Sequence, residues 1–306
     1  IAFFDKQPKF MRYLPEIAII GNIEFDHADI YRDEQAVCFA FSRLMNMVPG
    51  NGKLIVGIDS PLVQKVLSDM DGKLHTEIES FGFTDEAMWQ IREVETEGDR
   101  TTFSLYKSGA LWETFSTTMI GDFNLKNITA AIIAAHHYGV TKEHLKESLE
   151  SFKSVKRRAE IRGEENGITV IDDFAHHPTA VHETLKAMKE RYLDRRIVAV
   201  FEPRSWSSRL AIFQDRYIES LSQADLVIAA GVFNASGAAS LGKVLDVDTL
   251  ISLLNFNGTP AYTFEEVDEI VEYLGGVMKS SDVIVVMSNG GFGGIHEKLL
   301  AKAKNL

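Results

Sequence analysis

Residues 168–193, ITVIDDFAHHPTAVHETLKAMKERYL, hold a strand, a polar turn and a helix in one run. The opening is apolar and β-branched without alternation, which marks a strand covered on both faces. Asp172, Asp173, His176 and His177 then crowd the turn, and Pro178, whose fixed φ suits a first helical turn, opens an amphipathic stretch. RIVAVFEP (196–203), LVIAAG (226–231) and DVIVVMSNGG (282–291) read as further buried strands. FQDRYIESLSQ (213–223), VDEIVEYLGGVMKS (267–280) and GGIHEKLLAKAK (293–304) read as helices. This alternation predicts a parallel, doubly wound α/β domain, in which ligands sit beyond the carboxyl ends of the strands. Those ends carry Asp172-Asp173, Glu202-Pro203-Arg204 and Ser288-Asn289-Gly290-Gly291.

The first half is less regular. EIAIIGN (16–22) and KLIVGID (53–59) read as strands around the helix DEQAVCFAFSRLMNMV (33–48). Residues 88–121 alternate in period two with turn residues at Gly98-Asp99 and Ser108-Gly109, which predicts antiparallel hairpins attached to an α/β sheet. Helices over 124–139 and 141–152 follow. The basic run KSVKRRAEIRG (153–163) closes the half, and a domain boundary is expected at 158/159. No repeat or low-complexity segment is present.

Composition limits the function classes. The chain has 306 residues, 45% hydrophobic and 25% charged, so it can bury the cores of about two domains. A formal charge of −12 opposes nonspecific binding to nucleic acid or anionic membrane, although local basic clusters can still hold phosphates. No apolar run approaches the roughly 18 residues of a membrane span, and no leader pattern opens the chain, so a cytoplasmic location is expected. Cys38 is the only cysteine, which excludes an internal disulfide and a cysteine zinc site. Its setting, AVCFAF, makes it a core thiol.

NIEFDHADIY (22–31) places Glu24, Asp26, His27 and Asp29 at a strand end, where oxygen and nitrogen ligands could hold a divalent cation. A solvated loop with an aspartate capping the helix near Asp33 explains the same residues. IDDFAHHPTA (171–180) is a second acidic and histidine cluster at a strand end, and its histidines could equally cap or face water. The glycines of MSNGGFGGIHEKLL (287–300) could cradle an anion at a helix start or simply allow a tight turn. No G-x-x-x-x-G-K-[ST] pattern occurs, which argues against nucleotide hydrolysis by these residues alone.

AFFDK (2–6), NIEFDHADIY, GDFNLKNITAAIIAA (121–135), KRRAEIRG (156–163), DDFAHHPTA (172–180), FEPRS (201–205) and MSNGGFGGIHEKLL, in this order and spacing, resemble the Mur ligases of bacterial cell-wall synthesis. The resemblance covers essentially the whole chain and is strongest to the branch that acts on a recycled murein tripeptide. It implies a partial central ATPase domain (1–158), a mixed sheet with antiparallel hairpins, followed by a Rossmann-like doubly wound acceptor domain (159–306). It also implies a fragment that begins after the P-loop, expected by itself to show no ligase turnover and at most weak nucleotide binding.

The implied activity is ATP-dependent joining of UDP-N-acetylmuramate to L-Ala-γ-D-Glu-meso-diaminopimelate, with ATP and Mg2+ as cofactors and the protein a monomer or weak homo-oligomer. By resemblance His27 is a magnesium ligand, with Asp26 and Glu24 as neighbours. Asn124, Asn127, Arg158 and Asp173 match nucleotide positions, and His176 approaches the phosphates or the reacting centre. Arg204, Ser205, Asn289, Gly290 and Gly291 fall where the acceptor peptide lies. One departure is Phe123, where the related pattern G-x-H-N-x-x-N has a ring able to hydrogen-bond. The alternatives are a ligase for L-alanine or of the folylpolyglutamate type, a two-metal phosphohydrolase built from Asp26, His27, Asp29, Asp172, Asp173, His176 and His177, and a noncatalytic binding module.

Overall fold

The computed structural model describes residues 7–28, 30–240 and 242–306. The AFFDK run and Asp29 therefore lie outside the described residues. The chain divides into two compact units, Ile1–Lys153 and Ser154–Leu306, the second starting inside the basic run. No helix among the described residues is long and apolar enough to cross a membrane.

In the first unit the elements run β1 (Ile17–Ile20), α1 (Glu34–Met47), β2 (Lys53–Gly57), α2 (Pro61–Asp69), β3 (Glu77–Gly82), β4 (Trp89–Glu97), β5 (Arg100–Lys107), β6 (Ala110–Thr117), α3 (Asp122–His137) and α4 (Lys142–Ser151). They form one six-stranded sheet in the order β1-β2-β3-β4-β5-β6. β1, β2, β3 and the start of β4 pair in parallel, and β4, β5 and β6 form the antiparallel hairpins. Gly98 (φ 58°) and the pair Ser108 (φ 50°) and Gly109 (φ 83°) supply the left-handed turns between them. Side-chain alternation on β2 divides the core. Leu54 and Val56 pack with α1 and α2, while Ile55 packs on the other face with Phe81, Trp89, Phe103, Phe115 and α3. β3 and α2 were not expected from the sequence: Glu77, Glu79 and Ser80 break the apolar pattern of β3, which forms because β2 needs a parallel neighbour.

Glu79 explains that break. Its carboxylate lies inside the sheet, accepting from Lys53 Nζ at 2.5 Å and from the Trp89 indole N–H at 2.5 Å, with Glu77 3.1 Å from the same lysine. The Trp89 ring is fully buried, so its one polar atom requires this acceptor.

The second unit runs β7 (Glu160–Glu165), β8 (Ile168–Asp173), α5 (Pro178–Arg191), β9 (Ile197–Phe201), α6 (Gln214–Leu221), β10 (Leu226–Ala230), α7 (Ala235–Ala239), α8 (Val247–Phe256), β11 (Ala261–Phe264), α9 (Val267–Val277), β12 (Val283–Met287) and α10 (Ile295–Ala303). Its sheet has the order β11-β10-β9-β12-β8-β7. Five strands are parallel, and every residue of β8, β9, β10 and β12 is buried. The doubly wound domain expected from the sequence is present, with α7, α8 and the parallel strand β11 added between β10 and α9 and a further strand at the opposite edge. β7 is an antiparallel edge strand with an irregularity between Ile161 and Gly163. The basic run concealed it, because four of its six residues are charged and pairing with β8, not periodicity, makes it a strand.

Replacing Glu79 by Gln leaves the buried Lys53 with only the exposed Glu77 as counter-charge and should cost up to about 3 kcal/mol of stability in the first unit. Burial raises the Glu79 pKa, but the hydrogen bonds from Lys53 and Trp89 prevail and hold it below the ordinary glutamate range. Its stabilisation is therefore present above the unfolded-state pKa and lost as pH falls through the depressed folded value. Thermal melts against pH should show this acid sensitivity in the parent and its loss in Glu79→Gln.

Candidate functional site

Pairing of β12 with both neighbours brings three strand ends level. Met287 stands opposite Asp173 on one side and Phe201 on the other. The next residues leave the sheet together. Ser288 Oγ donates to Glu202 and accepts from the Gly290 N–H at 2.9 Å. Glu202 also accepts from Arg204 Nη1 at 3.2 Å, and the Arg204 guanidinium lies 3.8 Å from the centre of the Phe233 ring. Gly290 makes room for this arginine, since a Cβ there would sit 2.2 Å from Arg204 Nε. Ser205 closes the following turn, accepting from the Ser208 N–H at 3.0 Å.

Arg157 joins the turn after β12 to β8. Its Nη2 donates to the carbonyls of Ser288 and Gly290, and its Nε lies 3.5 Å from Asp172 Oδ1. Asp172 is buried and also faces Arg162 Nη1 and His296 Nε2, each at 3.4 Å. His296 lies beneath the glycine-rich turn, at the start of α10, and makes no hydrogen bond through Nε2. Burial pulls its pKa below the usual histidine value despite the attraction of Asp172, so the ring is neutral and no true ion pair forms. The turn itself is tight, with Phe292, Gly293 and Gly294 all at positive φ and Phe292 buried. Asn289 Oδ1 is buried and accepts no hydrogen bond.

Asp173 shapes the turn after β8. Its Oδ2 accepts from the Ala159 N–H at 2.7 Å; its Oδ1 accepts from the Ala175 N–H at 2.8 Å and from the Thr184 hydroxyl at 3.3 Å. Burial raises its pKa against these donors. The two amides lie beside Arg158 and His176, so the carboxylate fixes the backbone next to both. Ala159 (φ 51°) and Arg157 (φ 60°) are left-handed, and the guanidiniums of Arg157 and Arg158 lie 5.1 and 5.4 Å from the Phe174 ring centre. His176 Nδ1 is 2.9 Å from the Phe174 carbonyl. Donation there leaves Nε2 with the lone pair.

In the first unit, His27 is exposed at φ 54°, its N–H donating to Asp26 Oδ1 at 2.6 Å, while Glu24 and Asp26 are half-buried. Asp33 caps α1 by accepting from the Ala36 N–H at 2.9 Å, as the competing reading of this loop required. Among the described residues no three His, Cys, Asp or Glu side chains converge on a metal position. The loop carboxylates fit a Mg2+ that takes most of its ligands from phosphate oxygens and water, and do not fit an ion caged by protein. On α3, Asn124 is buried and donates to the Ile120 carbonyl at 2.8 Å, while Asn127 one turn later is exposed.

The sequence reading singled out Arg158 and gave Arg157 no role, yet Arg157 makes the contacts to the glycine-rich turn. Adjacent arginines in KRRAEIRG carry no signal that separates them; the left-handed turn does. His296 was also passed over, since a histidine one turn into an amphipathic helix has no distinctive spacing.

The "Mur ligase middle domain" family profile matches residues 6–135, and "Mur ligase, glutamate ligase domain" matches 157–290. The chain is 36% identical over 300 residues to the UDP-N-acetylmuramate–L-alanyl-γ-D-glutamyl-meso-2,6-diaminoheptandioate ligase of Escherichia coli K12, covering 98% of this chain and 62% of that protein. It is 35% identical to the Haemophilus influenzae ligase of the same name, covering 99% and 63%. The crystal structure of a murein peptide ligase from Psychrobacter arcticus matches with a TM-score of 0.69 at 31% identity, covering 99% of this chain and 61% of that one. The chain thus spans a little under two thirds of the length of these relatives.

Gly290→Ala should displace Arg204 from Phe233 and Glu202 rather than unfold the unit, because the obstructed group is a flexible side chain. A crystal structure should show the swung arginine, and the melting temperature should change by only about 1–2 °C.

Proposed function

The chain belongs to the Mur ligase family, carrying its middle and C-terminal domains, and we propose that it serves the ATP-dependent joining of UDP-N-acetylmuramate to L-Ala-γ-D-Glu-meso-diaminopimelate. The observation that carries the reading is likeness along nearly the whole chain to ligases named for that tripeptide. In this reaction the muramate carboxylate takes the γ-phosphoryl group of ATP, releasing ADP. The amino group of the tripeptide attacks the acyl carbon, loses a proton, and phosphate departs as the amide forms. Nucleotide-sugar and ATP substrates suit a cytoplasmic reaction.

The acceptor peptide lies at the ends of β9 and β12. Arg204, aligned by Glu202 and by Phe233, presents a planar fork to a peptide carboxylate. Ser205, Asn289, Gly290 and Gly291 line the same turn pair, and the unused Asn289 Oδ1 is an acceptor suited to an ammonium or amide N–H. Arg158 and His176, each next to an amide that Asp173 holds (Ala159 and Ala175), face the phosphates and the reacting carbonyl. Asp173 serves the nucleotide side by holding this turn through the Ala159 and Ala175 amides, and Asn124 and Asn127 serve the nucleotide. His27, Asp26 and Glu24 would hold Mg2+, which offsets charge on the transferring phosphoryl.

NMR titration of this chain with the tripeptide and with L-alanine distinguishes the proposed acceptor from that of the related alanine ligases. Tripeptide binding without alanine binding supports the reading; the reverse order overturns it. Arg204→Ala should weaken the tripeptide by roughly 1.5–3 kcal/mol, the value of a charge-assisted hydrogen bond. An unaltered tripeptide affinity in that variant would remove Arg204 from the site.

A further inference from the structure

Among the described residues, the lysines and arginines include two that are fully buried, Lys53 and Arg209, each 5% exposed. Lys53 is neutralised by Glu79 and Glu77. Among the described residues Arg209 has no carboxylate partner. Its Nη1 donates to the Phe233 carbonyl at 3.3 Å and the Asn234 carbonyl at 3.5 Å, and its Nε is buried without any acceptor. The Trp206 ring lies 4.5 Å from its guanidinium carbon. Burial draws its pKa below the usual arginine range, with no opposing charge to restore it. Desolvating a cation without a counter-charge is strongly unfavourable. Such an arrangement persists when the missing anion comes from outside the chain, just as strained or unsatisfied groups gather where ligands bind.

The position favours a ligand. Arg209 ends the turn that begins with Arg204, and its N–H donates to the Ser205 carbonyl at 3.2 Å. Arg204 stacks on the Phe233 ring while Arg209 bonds the Phe233 carbonyl, so two guanidiniums flank one residue. Trp206 and Phe233 are 52% and 44% exposed, an uncommon surface for rings of this size. Arg204 already shares its charge with Glu202, whereas Arg209 keeps a whole one.

We propose that Arg209 is a specificity-determining residue that binds a carboxylate of the acceptor peptide, with Trp206 covering the guanidinium until the peptide arrives. This rests on the reading above that the acceptor lies at the ends of β9 and β12. The tripeptide has several free carboxylates: the α-carboxylate of its γ-linked glutamate and both those of diaminopimelate. Arg204 and Arg209 engage different ones, which makes the turn a reader of polyanionic peptides rather than of a single amino acid.

The test combines NMR titration with thermal melting of this chain and its Arg209→Gln and Arg209→Lys variants, using the tripeptide and its carboxyl-amidated form. Arg209→Gln should weaken the tripeptide about tenfold or more, Arg209→Lys less, and the amidated peptide should bind parent and variants alike. Removing an uncompensated buried charge should leave the melting temperature of Arg209→Gln equal or higher. Unchanged tripeptide affinity in Arg209→Gln overturns the proposal, as does a fall of several degrees in both variants, which marks a structural arginine. If the parent binds tripeptide and only Arg204→Ala loses it, this inference alone fails. If the parent binds no tripeptide, the acceptor reading fails and this inference with it.

Discussion

Parallel pairing of β12 between β8 and β9 is the constraint on which the second unit depends. With every residue of these strands buried, a one-residue slip would part the buried carboxylates Asp172, Asp173 and Glu202 from the arginines, amides and Ser288 that satisfy them. The register is therefore fixed by the partners that the buried carboxylates require. It delivers an acidic pair, a glutamate and a serine to the same sheet edge, where Arg157, Arg204 and the glycine-rich turn complete their hydrogen bonding.

The two units treat buried charge differently. In the first, Lys53, Glu79 and Trp89 satisfy one another across three strands, and the group serves only the sheet. In the second, Asp172 is surrounded by Arg157, Arg162 and a neutral His296, Asp173 spends both oxygens on backbone amides, and Arg209 has no counter-ion. A satisfied network rigidifies, whereas an unsatisfied charge reserves an interaction for something else. This contrast supports the proposed acceptor site at the ends of β9 and β12 without reference to any relative.

Much of both units was legible in the chain. Unbroken β-branched runs marked β8, β9, β10 and β12, Pro178 marked the start of α5, and Gly98 and Ser108-Gly109 marked the hairpin turns of the first unit. Two of the strands that escaped notice share one cause. β3 carries Glu77 and Glu79, and β7 is mostly charged; each is a strand because a neighbour supplies its hydrogen-bond partners. Periodicity reports what a segment buries and is silent about what it pairs with.

The same limit applies to the site. Sequence alone determined that acidic, basic and glycine-rich segments follow buried strands, because apolar runs and turn residues are local properties. It could not decide which arginine of Arg157 and Arg158 reaches the β12 turn, that Asp173 holds Ala159 and Ala175, or that Arg209 lies buried without a carboxylate. Those outcomes depend on left-handed backbone at Arg157 and Ala159, on strand register, and on neighbours far apart in the chain. Hydrogen-bond partners and desolvation are set by three-dimensional proximity, and only the tertiary structure supplies it.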